Sequence, residues 1–79
     1  MGVTAKSENG KTIITASIAS DATGNLRITY EGVTYVEKIT NGLATAIVDE
    51  IMPGSHLVEV KYNGNYKYTA ATKLKTITI

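Results

Sequence analysis

Cysteine is missing from this 79-residue chain, so neither a disulfide nor a thiolate metal site supplements its core, and the redox compartment is left open. Charge of one sign is missing too. Eight Lys and Arg stand against seven Asp and Glu, for a net charge of +1, with the lysines scattered from Lys6 to Lys75 and Arg27 the single arginine. A nucleic-acid binder would show a basic patch interleaved with stacking aromatics, so no nucleic-acid partner is expected. No apolar run approaches the eighteen or so residues of a membrane span, and Met1-Gly2-Val3-Thr4 lacks the charged start and apolar centre of a signal peptide. Membrane insertion is not expected. The missing leader leaves two expectations: a module cut from a longer secreted chain, or a complete small protein that works without secretion. A chain of this size forms one domain, residues 1–79, with no second domain to build a cleft against.

Period-two alternation fills the sequence. β-branched residues and tyrosine occupy the runs, while Asn-Gly, Gly and Pro-Gly punctuate them, which predicts seven strands and no helix. The first strand spans about Val3 to Lys6. Glu8-Asn9-Gly10-Lys11 forms a tight hairpin into the second, Thr12 to Ala19, with Ile14, Ala16 and Ile18 facing inward. After the loop Asp21-Ala22-Thr23-Gly24, the third strand sets Leu26, Ile28 and Tyr30 on one face. Glu31-Gly32 turns the chain into a fourth strand carrying Val33, Tyr35 and Ile39, and Asn41-Gly42 makes the next turn. The fifth strand, Leu43 to Asp49, alternates Leu43, Thr45 and Ile47 with Ala44, Ala46 and Val48, and either set could face the core. The sixth turns His56, Val58, Val60 and Tyr62 to one side, and the last buries Ile77 and Ile79. Short strands with a turn every eight to twelve residues predict an all-β antiparallel sandwich.

The segments Asn41-Gly42-Leu43-Ala44-Thr45-Ala46-Ile47-Val48, Pro53-Gly54-Ser55-His56-Leu57-Val58-Glu59-Val60-Lys61-Tyr62-Asn63-Gly64, Tyr68-Thr69-Ala70-Ala71-Thr72-Lys73 and Thr76-Ile77-Thr78-Ile79 together resemble the immunoglobulin-like (Big-type) repeats of bacterial and archaeal surface proteins. The resemblance runs from about Thr12 to Ile79. It is a pattern of turns and alternating Thr/Val positions, so it specifies fold better than role. It implies an immunoglobulin-like sandwich of about seven strands in which Ala44, Ala46 and Val48 face inward. Adhesins of this class sometimes carry an internal isopeptide between a first-strand lysine and a last-strand asparagine. Lys6 or Lys11 could supply the amine, but Lys73 to Ile79 contains no Asn or Asp, so no cross-link is expected.

Residues that could carry chemistry are few. His56 is the only imidazole and has no positioned catalytic partner in sight, so it reads as a structural histidine at a corner of the sandwich. Ser7, Ser17, Ser20 and Ser55 lack a nucleophile elbow. Asp21, Asp49 and Glu50 do not have the spacing of a calcium loop; Asp21 is expected to cap its own turn and Asp49-Glu50 to end a strand in solvent. No catalytic residue, cofactor or metal is therefore expected, and the chain does not read as an enzyme.

Two groups of residues remain as candidate contacts. In an immunoglobulin-like topology three loops meet at one end, gathering Asp21, Thr23, Asn25, Thr40, Asn41, Asn63, Asn65, Tyr66 and Lys67, a composition suited to adaptable binding. Asn25, Asn41, Asn63, Asn65, Tyr66 and Lys67 are the candidate binding loops. Val36, Ile47, Leu57 and Leu74 are apolar where such repeats place outward threonine, Ile13 shares that parity, and together they suggest a covered outer face. The expected partner is a protein or glycan ligand for a module at a cell surface or outside the cell. The alternative is a phage virion protein, a decoration or head-associated domain packed against neighbouring copies or the capsid.

Overall fold

Three two-residue turns reverse the direction of this chain. Asn9-Gly10 (φ 52° and 78°), Glu31-Gly32 (50° and 77°) and Asn41-Gly42 (51° and 75°) all place two successive residues in the left-handed region that matches strand twist. A computed structural model describes residues 1–79. It contains β1 (Gly2–Glu8), β2 (Lys11–Ser17), β3 (Asn25–Tyr30), β4 (Val33–Lys38), β5 (Leu43–Val48), β6 (Ser55–Tyr62) and β7 (Ala71–Thr78), and no helix. The strands form two antiparallel sheets, β1-β2-β5 and β4-β3-β6-β7. β4 pairs with β3 and not with β5, so the Asn41-Gly42 corner carries the chain from one sheet to the other.

Alternation decides which residues make the core. Val3, Ile14, Ala16, Ala44, Ala46 and Val48 line the inner face of the three-stranded sheet; Leu26, Ile28, Tyr30, Val58, Val60, Tyr62 and Ile77 line the other. Alanines on one side leave room for the tyrosines and leucine opposite, which lets two twisted sheets interdigitate. The fifth strand is thereby settled: Ala44, Ala46 and Val48 are buried while Leu43, Thr45 and Ile47 are exposed.

Several sequence expectations shift at element ends. Ile18 and Ile39 lie just beyond their strands, and Ile39 is still buried. Val33 shares a row with inward Tyr30 yet is 52% exposed, because β4 is the margin of its sheet. Ile79 is only half-buried. β7 runs from Ala71, but Ile77 is its single buried residue. Three strands cannot cover four, so Lys73 and Lys75 of β7 and Glu37 of β4, all of inward parity, hang over the margins of the core.

Candidate functional site

At one pole of the sandwich the β2–β3 loop, the β4–β5 turn and the β6–β7 loop converge. The last of these is shaped by Asn65, whose side-chain oxygen accepts the backbone N–H groups of Lys67 (2.8 Å) and Tyr68 (2.7 Å), while its own backbone N–H donates to the Tyr68 carbonyl at 2.9 Å. This Asx-type turn lifts Tyr66 to the tip, where it is 93% exposed. Asp21 of the β2–β3 loop holds the turn down from the other side. Its carboxylate accepts from the Tyr68 hydroxyl at 2.5 Å and from the Lys67 ammonium.

Those partners keep the Asp21 carboxyl below its ordinary range, the Lys67 ammonium foremost and the Tyr68 hydroxyl next. The same contacts raise Lys67 and Tyr68. Asp21 therefore bridges two loops, where the sequence suggested a residue capping its own turn. Thr23 adds two ties: its carbonyl accepts from the Tyr62 hydroxyl at 2.9 Å and its hydroxyl from the Asn65 amide at 3.1 Å. Gly42 locks the β4–β5 turn against the β2–β3 loop. A Cβ there would stand 2.7 Å from the Ile18 carbonyl, and the Ile18 N–H donates to the Gly42 carbonyl at 2.8 Å.

The six loop candidates separate in space. Asn65, Tyr66 and Lys67 form the ordered tip; Asn25 and Asn63 line a shallow groove of about 240 Å³ that opens beside it, with Thr23, Arg27 and Val36. Asn41 sits in its turn at φ 51° with no side-chain hydrogen bond to the rest. Arg27 was missed by sequence reasoning. Its place became readable only with the register, which sets it outward on β3 between Val36 of β4 and Lys61 of β6.

Val36, Ile47, Leu57 and Leu74 are each more than half exposed, at 55, 54, 57 and 56%. They do not form one patch. Ile47 lies on the three-stranded sheet, directly opposite half-buried Ile13. Leu57 and Leu74 are diagonal neighbours on the outer face of the other sheet, and Val36 stands alone at its far margin, across Arg27 and Lys61.

His56 sits at the opposite pole, pinned on three sides. Its Nδ1 donates to Glu31 Oε1 at 2.6 Å, its Nε2 to the Met52 carbonyl at 2.8 Å, and its ring meets Tyr30 edge-on at 5.4 Å. Two acceptors facing two ring nitrogens favour the imidazolium, so the His56 pKa is raised, by Glu31 first and by the Met52 carbonyl second. That geometry gives a tie between the β3–β4 turn and the start of β6. Asp49 pairs with Lys11 at 3.3 Å, and no three His, Cys, Asp or Glu side chains come together as metal ligands. Compared with protein-family models, with curated proteins and with solved structures, the chain matches none.

Proposed function

We propose that this chain is a non-enzymatic immunoglobulin-like module of a microbial surface or adhesin-like protein, a spacer whose loop end makes weak contacts with protein or glycan. The observation that carries the reading is the path of the chain. β1 starts opposite the end of β2, beside the three converging loops, and β7 ends opposite the start of β6, at the other pole. Chain entry and exit at opposite ends of a body 38 Å long and 20 × 17 Å across suit a link in a string of domains. Tyr66 at the entry pole offers rigid contact area where a preceding domain or a ligand would sit.

A virion structural role is the second reading, supported by the Leu57–Leu74 pair left open on the four-stranded face. Antibodies raised against the folded chain separate the two. Labelling of the surface of intact source cells is the expected result; labelling of purified phage particles instead would replace the first reading with the second. At the loop end, Tyr66→Ala should leave the melting temperature unchanged and abolish any retention on a glycan array or on the intact cell envelope. Equal retention by the variant would remove the loop tip from the proposal.

A further inference from the structure

A sandwich built from two open sheets has four edges, here β1, β5, β4 and β7. Edges attract other strands, and proteins blunt them with charge. β1 carries Lys6 and Glu8, β4 carries Glu37 and Lys38, and β7 carries Lys73 and Lys75. β5 alone, Leu43-Ala44-Thr45-Ala46-Ile47-Val48, has no charge, no proline and no glycine. We propose that this open β5 edge is a self-pairing surface, through which two copies of the chain join their three-stranded sheets into one continuous six-stranded sheet.

The hydrogen bonds select both the occupant and the register. Because Ile18 N–H bonds the Gly42 carbonyl, and the β2–β5 ladder pairs Ala16 with Ala44 and Ile14 with Ala46, the even-numbered residues of β5 exchange bonds with β2. The odd-numbered ones point their N–H and C=O groups the other way. Leu43 has already spent both on Thr40, at 2.9 and 2.8 Å, closing the Asn41-Gly42 turn. Thr45 and Ile47 are left with both groups open to the edge. An antiparallel two-fold axis at Ala46 sets Thr45 of one copy opposite Ile47 of the other, twice over, and satisfies every one of those groups. An axis at Thr45 would instead oppose Ile47 to Leu43, whose groups are taken.

Side chains agree with that register. Ala46 meets itself at the axis on the inner side, where anything larger would crowd the neighbouring core. On the outer side Ile47 of each copy becomes the diagonal neighbour of the other, and each already stands opposite Ile13, so four isoleucines form one strip across the joined sheet. No like charges are brought together. The interface is isologous, the same patch used twice, which closes at a dimer and does not propagate. It is small beside the ~1,200 Å² of stable complexes, so half-association is expected on the order of 10⁻⁴ to 10⁻³ M.

Amide NMR and sedimentation of the wild-type protein, from about 20 µM to about 2 mM, test this. The expected result is a rise in average mass from near the monomer's toward the dimer's across that range, with concentration-dependent shifts and exchange protection at the Thr45 and Ile47 amides. Thr45→Lys and Ile47→Lys, both on the exposed face, should each weaken association at least about tenfold with the fold intact. Leu57→Thr and Tyr66→Ala should leave it unchanged. If either lysine variant fails to fold, the wild-type amide shifts still decide. A strict monomer, a dimer whose shifts fall on Leu57 and Leu74, or a dimer indifferent to Ile47→Lys each overturns the proposal. So does a monomer whose Thr45 and Ile47 amides shift only with an added Thr/Val-alternating peptide, which would assign the edge to another protein's strand. Loss of the loop-end binding reading leaves this inference untouched, since the two surfaces share no residue.

Discussion

Thr12 and Tyr30 are buried side chains whose polar atoms fare differently, and they predict opposite outcomes. Thr12 is fully buried, and its hydroxyl donates to the Glu50 carbonyl at 2.8 Å, fastening the chain just past β5 to β2. Thr12→Val keeps the volume and strands that carbonyl, so a loss of about 1–3 kcal/mol is expected in chemical denaturation. Tyr30 is buried to 1% exposure with no partner for its hydroxyl, and burial pushes its pKa up. Tyr30→Phe removes the unsatisfied group and keeps the edge contact to His56, so stability should hold or rise. A clear loss on Tyr30→Phe would mean that the hydroxyl has a partner. Neither role was readable in the sequence: alternation marks Thr12 and Tyr30 as inward, but which carbonyl a hydroxyl reaches is fixed by the meeting of segments 38 residues apart.

Glu31 links the residue to the element. The first position of a tight hairpin turn favours Asn, Asp or Gly, and at φ 50° a glutamate is held in a backbone region that costs it on the order of 1 kcal/mol. Its carboxylate reaches His56, and that tie accounts for an unfavourable residue in a turn whose position the sequence had marked. Because the folded-state pKa of His56 is raised above its ordinary 6.5, the contribution is fully present below that pH and lost as pH climbs through the folded value. Wild-type stability should therefore fall on going from slightly acidic to slightly alkaline pH. Glu31→Asn should flatten that slope, while at alkaline pH the relaxed turn makes the variant at least as stable as the parent. An unchanged slope would detach the pH dependence from this pair.

At the scale of strands, alternation in β2, β3 and β6 was legible because each is paired along both margins, leaving a clean inward set. β5 was ambiguous because both of its faces are apolar, and β7, read as burying Ile77 and Ile79, buries Ile77 alone because its inward lysines overhang the core; both are edges, where packing constrains only one side. The loop end was legible as a composition and a place. Its bridge, Asp21 to Lys67 and Tyr68, was not, since it joins residues on different loops through side chains. The register of β6 is open to test. Val58→Ala should cost about 1–4 kcal/mol through lost burial and a residual cavity. Lys61→Ala, exposed, paired to Glu59 at 3.4 Å and set beside Arg27, should stay within about 0.5 kcal/mol of the parent. Similar effects at both positions would shift the strand by one residue.

The whole molecule is a short rod, and its polarity decides how it would behave in a string. With extents of 38 × 20 × 17 Å, entry beside the loop tip and exit at the His56 pole, a head-to-tail fusion of two copies has its second loop tip facing the first module's exit. A net charge of +1 spread over both sheets leaves no long-range repulsion or attraction to bend the pair. Joined by a two-residue linker, too short for the second module to fold back along the first, the copies should add lengthwise: small-angle scattering should give a maximum dimension roughly twice that of one module, about 70–80 Å. Measurement at low concentration keeps β5 edges of separate molecules apart. Ile47→Lys in both copies removes that contact altogether and should leave the length unchanged. A fusion whose maximum dimension stays near that of a single module would show side-by-side packing, and a chain that packs so is not a spacer.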